Sequence, residues 1–267
     1  MKKGAFILNI LATVLLLTSC NKFDKILKSN DYDAKYQAAM QYYNDNSYSK
    51  AIQLFENLTL HYRGRDNAEE ISWYYAQCLL KADYYYTAAY QFKTFTKRYP
   101  YSEHAEEAAF LSAYCKYMES PSYTLDQSLT REAIEEFEAF AERWPRSTRM
   151  PEVNRYLDEM RVKLMKKDYE IAYGYYFIEE YRAAYESLKN FLNLYPEAPM
   201  RSDAMYYMLY SGYKYAINSR EDKKRERLQQ VVADFDRVVS GITDPKQLAD
   251  AQDIYTKTRE ALAKMEK

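Results

Sequence analysis

Apolar residues fall in two different patterns along this chain. Ala5 to Leu17 form a short run broken only by Asn9 and Thr13, behind the basic start Met1-Lys2-Lys3. Farther on, apolar positions recur every three to four residues, the spacing of helices that bury one stripe. The periodicity predicts helices over Tyr36–Asp45, Ile71–Lys81 and Asp168–Glu180, each followed by a second helix. Five glycines and seven prolines are few for 267 residues, so little interrupts these helices.

The second helices share a template. Alanine is followed four residues later by a large apolar residue and, in three of four cases, twelve residues later by proline. The segments are Ala51 to Phe55 with Arg63 in the last place, Ala88 to Phe92 with Pro100, Ala133 to Phe137 with Pro145, and Ala184 to Leu188 with Pro196. Three of them end on an aromatic-proline pair: Tyr99-Pro100, Trp144-Pro145 and Tyr195-Pro196. The alanine permits a close helix crossing, the large residue fills the space between units, and the proline cannot continue a helix. Ala39 and Tyr42, Ala76 and Leu79, and Ala172 and Tyr175 occupy matching places in the first helices. The pattern resembles the tetratricopeptide repeat, a helix pair in 34 residues. The spacings here are 37, 45 and 51 residues. They imply an insertion at Ser120–Ser128 and extra helix over Pro151–Lys167. A fifth pair is expected at Ser202–Ser219 and Lys223–Ser240, and a polar-faced capping helix at Gln247–Glu266. The expected fold is therefore an all-α tetratricopeptide solenoid of about five helix pairs with a C-terminal capping helix.

The leading apolar run is too short to span a bilayer, which needs about 20 apolar residues. With its basic start it has the form of a secretory signal peptide. Leu17-Thr18-Ser19-Cys20 adds the Leu-small-small-Cys pattern of a bacterial lipobox. An ordinary signal peptide with a chance cysteine is the alternative. The lipobox implies cleavage before Cys20, acylation of that residue, and membrane anchorage by acyl chains, each buried methylene contributing about 0.8 kcal/mol. Asn21, rather than aspartate, follows the cysteine, which by resemblance to enterobacterial sorting favours the outer membrane. The expected organisation is a signal peptide at 1–19, a lipidated polar tether at 20–33, N-terminal repeats at 34–150, and C-terminal repeats with the cap at 151–267.

Composition removes several function classes. Loss of Lys2 and Lys3 with the leader takes Lys+Arg from 38 to 36 against 39 Asp+Glu, a formal charge of −3. Nucleic-acid binders carry a basic footprint, so no such partner is expected. No HExxH, CxxC, GxSxG or P-loop pattern occurs, and no cofactor is expected. Glu135-Glu136 and Glu179-Glu180 are carboxylate pairs, but adjacent helical residues do not face each other, and they are read as solvated faces. Cys78 and Cys115 are read as buried thiols.

Most of the 31 tyrosines suit packing between helices. The first helix of each pair, however, lines the concave wall in this architecture. Its inward positions are read as Tyr36, Met40 and Tyr43; Trp73, Gln77 and Leu80; and Phe110, Tyr114 and Tyr117. A wall so aromatic and so poor in charge suits an apolar or aromatic peptide.

A lipobox followed at once by about five such repeats resembles the BamD family, lipoproteins of the outer-membrane β-barrel assembly machine. The residues carrying the resemblance are Ala51-Ile52 through Leu58, the ends at Pro100, Pro145 and Pro196, the Ser120–Ser128 insertion, and Leu125-Asp126-Gln127 ahead of Ala133. The resemblance implies a non-enzymatic protein on the periplasmic face of the outer membrane. It implies N-terminal repeats that receive unfolded barrel proteins and C-terminal repeats that hold a BamA-like insertase. Proteobacterial members carry an insertase-binding arginine where this chain has Ser187, so that contact must be made differently here. Lys223, Lys224 and Arg227, in the charged run Arg220–Arg227, are the candidate docking residues. Two other readings stay open: another periplasmic scaffold organising the envelope or peptidoglycan, and a SusD-like glycan-binding lipoprotein. Proteins of the latter kind are about twice as long.

Overall fold

The computed structural model describes residues 22–265. The leader and Cys20 lie outside these residues. Among the described residues every regular element is helical. A short helix, α1, covers residues 22–28. Three pairs follow: α2 (Tyr32–Asn44) with α3 (Tyr48–His61), α4 (Ala68–Lys81) with α5 (Tyr85–Arg98), and α6 (Ala105–Met118) with α7 (Ser128–Arg143). Then come α8 (Met150–Phe177), α9 (Tyr181–Leu194), α10 (Arg201–Ile217), α11 (Glu221–Val238), a 3₁₀ turn (Val239–Gly241) and α12 (Pro245–Lys264). From α2 to α7, and again from α9 to α12, each helix packs on the next in the tetratricopeptide manner. The extra helix and the fourth first-helix, anticipated as successive segments, are one continuous 28-residue helix, α8. Nothing between Pro151 and Phe177 breaks it.

The repeat template explains the packing. Ala51, Ala88, Ala133 and Ala184 are completely buried, as are Phe55, Phe92, Phe137 and Leu188. Burying a large apolar side chain contributes roughly 1.5–3 kcal/mol, so each unit carries its own share of the core. The aromatic before each proline caps its helix and packs one turn back. Phe95–Tyr99, Phe140–Trp144 and Phe191–Tyr195 ring centroids lie 5.1, 5.3 and 5.3 Å apart. Proline pushes its predecessor out of the helical region, and Tyr99 and Tyr195 sit at φ −124° and −126°.

The turns within pairs repeat as well. Asn46, Asp83 and Glu179 take left-handed conformations at φ 57°, 60° and 63°. In each case the next residue's N–H reaches back five residues: Ser47 to the Tyr42 carbonyl, Tyr84 to Leu79, and Glu180 to Tyr175. This is the Schellman closure of a helix C-terminus. Asn and Asp tolerate the left-handed region; Glu179 has no such local excuse.

The chain divides into two compact units. Among the described residues one comprises 22–121 and 128–154, the other 122–127 and 155–265. The first holds the α2–α7 pairs. In the second, Leu188, Met208 and Leu209 centre a core that includes Ala172 and Ala251. The Ser122–Gln127 segment of the insertion is ordered within the second unit. Gln127 is buried and donates to the Ser122 and Leu125 carbonyls. Lys167 donates to the Tyr123 and Leu125 carbonyls.

Residues 20–33 were anticipated as a polar tether. Residues 22–28 instead form helix α1, whose Phe23 is buried. Its ring stands edge-on to Tyr42 at 5.7 Å, with the Lys50 ammonium 5.8 Å from its centroid. The run Lys-Phe-Asp-Lys-Ile-Leu-Lys places Phe23, Ile26 and Leu27 on one helical face, which is why it folds down.

Candidate functional site

The first-helix faces of the N-terminal unit carry most of the anticipated site. Tyr36, Met40, Tyr43, Trp73, Gln77, Leu80, Tyr114 and Tyr117 are all half-buried. Tyr36 hydrogen-bonds Glu70, and burial together with that carboxylate drives its phenol pKa upward. Tyr43 stands edge-on to Tyr48 and Tyr74, with centroids 6.0 and 5.1 Å away. Tyr74 stacks on the buried Phe55 at 6.1 Å. Tyr74 thus joins the two repeats, although sequence reasoning did not single it out.

Trp73 is built partly into the core. Its ring meets Phe92 at 5.8 Å and Phe95 at 5.6 Å, and lies flat against the His104 imidazole at 4.3 Å. An open cleft of about 540 Å³ runs past its edge, lined by Asn67, Glu69, Glu70, Trp73, Tyr74, Glu103 and His104. The expectation of few charges is therefore corrected here, since three glutamates rim the cleft. Glu69 and Glu70 lie in the first turn of α4, where carboxylates favour the positive end of the helix dipole.

Phe110 is also corrected. It is 3% exposed, held edge-on against Phe137 and Phe140 at 6.1 and 5.9 Å. The Arg149 guanidinium covers it at 4.6 Å. Phe110 is core and is unavailable to a ligand. Tyr114 stacks outward from it at 6.3 Å, and Tyr117 from Tyr114 at 6.4 Å.

The reading of Glu136 as a solvated carboxylate fails too. It pairs with Lys93 and lies 3.5 Å from Lys116, which bonds Glu132 at 2.8 Å. This network ties α5, α6 and α7 together. Cys78 and Cys115 are free and buried, and burial pushes both thiols up to about 12. Neither is a nucleophile near neutral pH. Among the described residues no cluster of metal-ligating side chains occurs, and no helix is long and apolar enough to cross a membrane.

In the C-terminal unit the docking candidates differ from one another. Lys223 is exposed and pairs with Glu226; Lys224 is half-buried and pairs with Glu221. Arg227 donates to Ser219 and lies over the Tyr215 ring at 4.1 Å, so much of its charge is used internally. It borders a cleft of about 250 Å³ with Tyr185, Lys189 and Gln230. Ser187, on α9, is half-buried.

Sequence reasoning missed a second aromatic wall. Tyr173 and Tyr176 of α8 meet Tyr207 of α10 at 4.8 and 4.6 Å. Tyr176 also meets Tyr210 at 5.4 Å. Tyr206 donates to Asp250 at 2.7 Å, at the edge of an open cleft of about 730 Å³ lined also by Asp244, Lys246 and Asp253. The available signal was the i, i+4, i+7 spacing of Tyr169, Tyr173 and Tyr176.

Repeated helix pairs with aromatic first-helix faces define a tetratricopeptide-type all-α solenoid. No curated protein matches the chain. The family model for YfiO, described as an outer membrane lipoprotein, matches residues 28–175 and 166–267. The chain belongs to this YfiO (BamD) family of outer membrane lipoproteins.

Proposed function

We propose that this protein is a non-enzymatic scaffold of the outer-membrane β-barrel assembly machinery, anchored through Cys20 and facing the periplasm. Its N-terminal unit receives unfolded barrel proteins, and its C-terminal unit docks a BamA-like insertase. The observation that carries this reading is the family match along nearly the whole described chain.

The geometry supports one kind of substrate over others. Tyr36, Tyr43, Trp73, Tyr74, Tyr114 and Tyr117 form a discontinuous aromatic surface whose Trp73 section is acid-rimmed. It suits an extended segment with aromatic side chains and a neighbouring lysine or arginine. Unfolded segments pay an ordering entropy on binding; half-buried rings limit the matching cost on the protein side. Micromolar affinity, about 8 kcal/mol, would capture such a segment and still release it. For the insertase, the tyrosine wall of α8 and α10 supplements Lys223, Lys224 and Arg227 as docking surface.

The test is extraction in mild detergent followed by identification of what accompanies the protein. A BamA-like insertase should copurify stoichiometrically. Its consistent absence, with envelope or peptidoglycan enzymes in its place, would replace this reading with that of a different periplasmic scaffold.

A further inference from the structure

The amino-terminal helix α1 does more than connect an anchor to a repeat. Phe23 is 7% exposed and packs on Tyr42 beneath Lys50. Ile26 and Leu27 are half-buried, whereas Lys22, Lys25 and Lys28 are exposed. The helix is thus amphipathic. Its apolar side is seated on the first repeat, and its three lysines, offset within the helix by Asp24, are exposed, with exposed Asp31 and Asp33 following the helix. Elsewhere the mature chain is acidic, so this cluster runs against the overall charge. Cys20 precedes Phe23 by three residues, a reach of at most about 11 Å. Acyl chains on Cys20 would therefore be attached to the chain within about that distance of Phe23.

We propose that α1 is a membrane-surface collar. Lys22, Lys25 and Lys28 bind the anionic phospholipid headgroups around the anchor, and Phe23 locks the collar to the first repeat, holding that repeat at the bilayer surface. The occupant is a phospholipid headgroup because the charge is right, the patch lies beside the lipid-bearing residue, and basic residues next to an anchor gain from a negative leaflet. The proposal rests on lipidation of Cys20, which the mass of the mature amino terminus reports separately.

The experiment uses the lipidated mature protein in phosphatidylethanolamine vesicles with or without phosphatidylglycerol. Amine-labelling rates at Lys22, Lys25 and Lys28 are read by mass spectrometry. A contribution of about 1 kcal/mol per lysine corresponds to labelling slowed roughly fivefold. That slowing should require phosphatidylglycerol and disappear at high salt. Equal rates in both vesicles overturn headgroup binding. The locking role has its own variant. Phe23→Ala should leave the lysines protected but open Ser29-Asn30 to protease; unchanged resistance there overturns the lock. Failure of lipidation is distinguishable from both, because the protein then carries no acyl mass and stays out of the vesicle fraction.

Discussion

The Tyr185–Asp234 pair offers the sharpest energetic test of the C-terminal unit. Tyr185 is 6% and Asp234 2% exposed. The phenol donates to Asp234 Oδ2 at 2.6 Å, while Oδ1 accepts from Arg237 at 2.9 Å and Gln230 at 3.2 Å. The ring is fixed against the backbone of Gly212, where an added Cβ would lie 3.0 Å from Cδ2. Tyr185→Phe keeps the ring and removes the bond to Asp234, together with the longer one the hydroxyl accepts from Lys189 Nζ at 3.3 Å, leaving a buried carboxylate oxygen short of a donor. Bonds to charged groups contribute about 1.5–3 kcal/mol, so a loss of about 2 kcal/mol is expected. For a protein of this size that lowers Tm by roughly 4–8 °C. Calorimetry and denaturant titration of wild type, Tyr185→Phe, Asp234→Asn and the double variant give the coupling energy directly. The phenol adds a pH signature. Burial first, and then the Asp234 bond, raise its pKa above the ordinary 10.0. Above pH about 10 the unfolded chain therefore loses this proton before the folded one, and stability falls as pH rises. Tyr185→Phe should flatten that fall. A change in stability within about 0.5 kcal/mol, the size of an ordinary surface substitution, would refute the assigned role of this pair.

Three further outcomes follow from the geometry. Phe110→Ala should cost about 3–5 kcal/mol, measured by denaturant unfolding, because Phe110 belongs to the Phe137–Phe140 core rather than to the groove. Trp73→Ala should both lower Tm and weaken binding of an aromatic barrel peptide tenfold or more, measured by calorimetric titration of the remaining folded protein, if its exposed edge acts as a hot spot; unchanged affinity would make it purely a packing residue. Glu179→Gly should stabilise the protein by about 1 kcal/mol, seen as a raised Tm, because it relieves a left-handed non-glycine turn.

Much of this fold was legible because the repeat fixes volumes. An alanine that must be small, a phenylalanine that must fill a gap and a proline that must stop a helix leave marks at fixed offsets, and all four alanines proved fully buried. Burial within the first helices was harder to read. Such a helix contacts its own partner and the neighbouring unit, so its apolar stripe is wide. Phe110 and Tyr114 lie one turn apart on the same face, yet one is core and the other half-buried. The acidic rim near Trp73 was only partly hidden: Glu69 and Glu70 stand one turn before Trp73 on α4, a spacing that the sequence shows, whereas Glu103 is brought beside the ring only by the fold. Helix α1 was overlooked because seven residues alternating lysine with apolar residues read as polar linker until Phe23 finds Tyr42.

The central claim is that the first-helix faces of the N-terminal unit receive unfolded barrel proteins. A photo-cross-linking residue placed at Tyr74 in living cells tests it most directly, with the exposed Tyr86 as the control position. Newly made outer-membrane barrel precursors should be captured from position 74 and not from position 86. Capture of no barrel precursor at 74, or equal capture at both positions, would contradict the account.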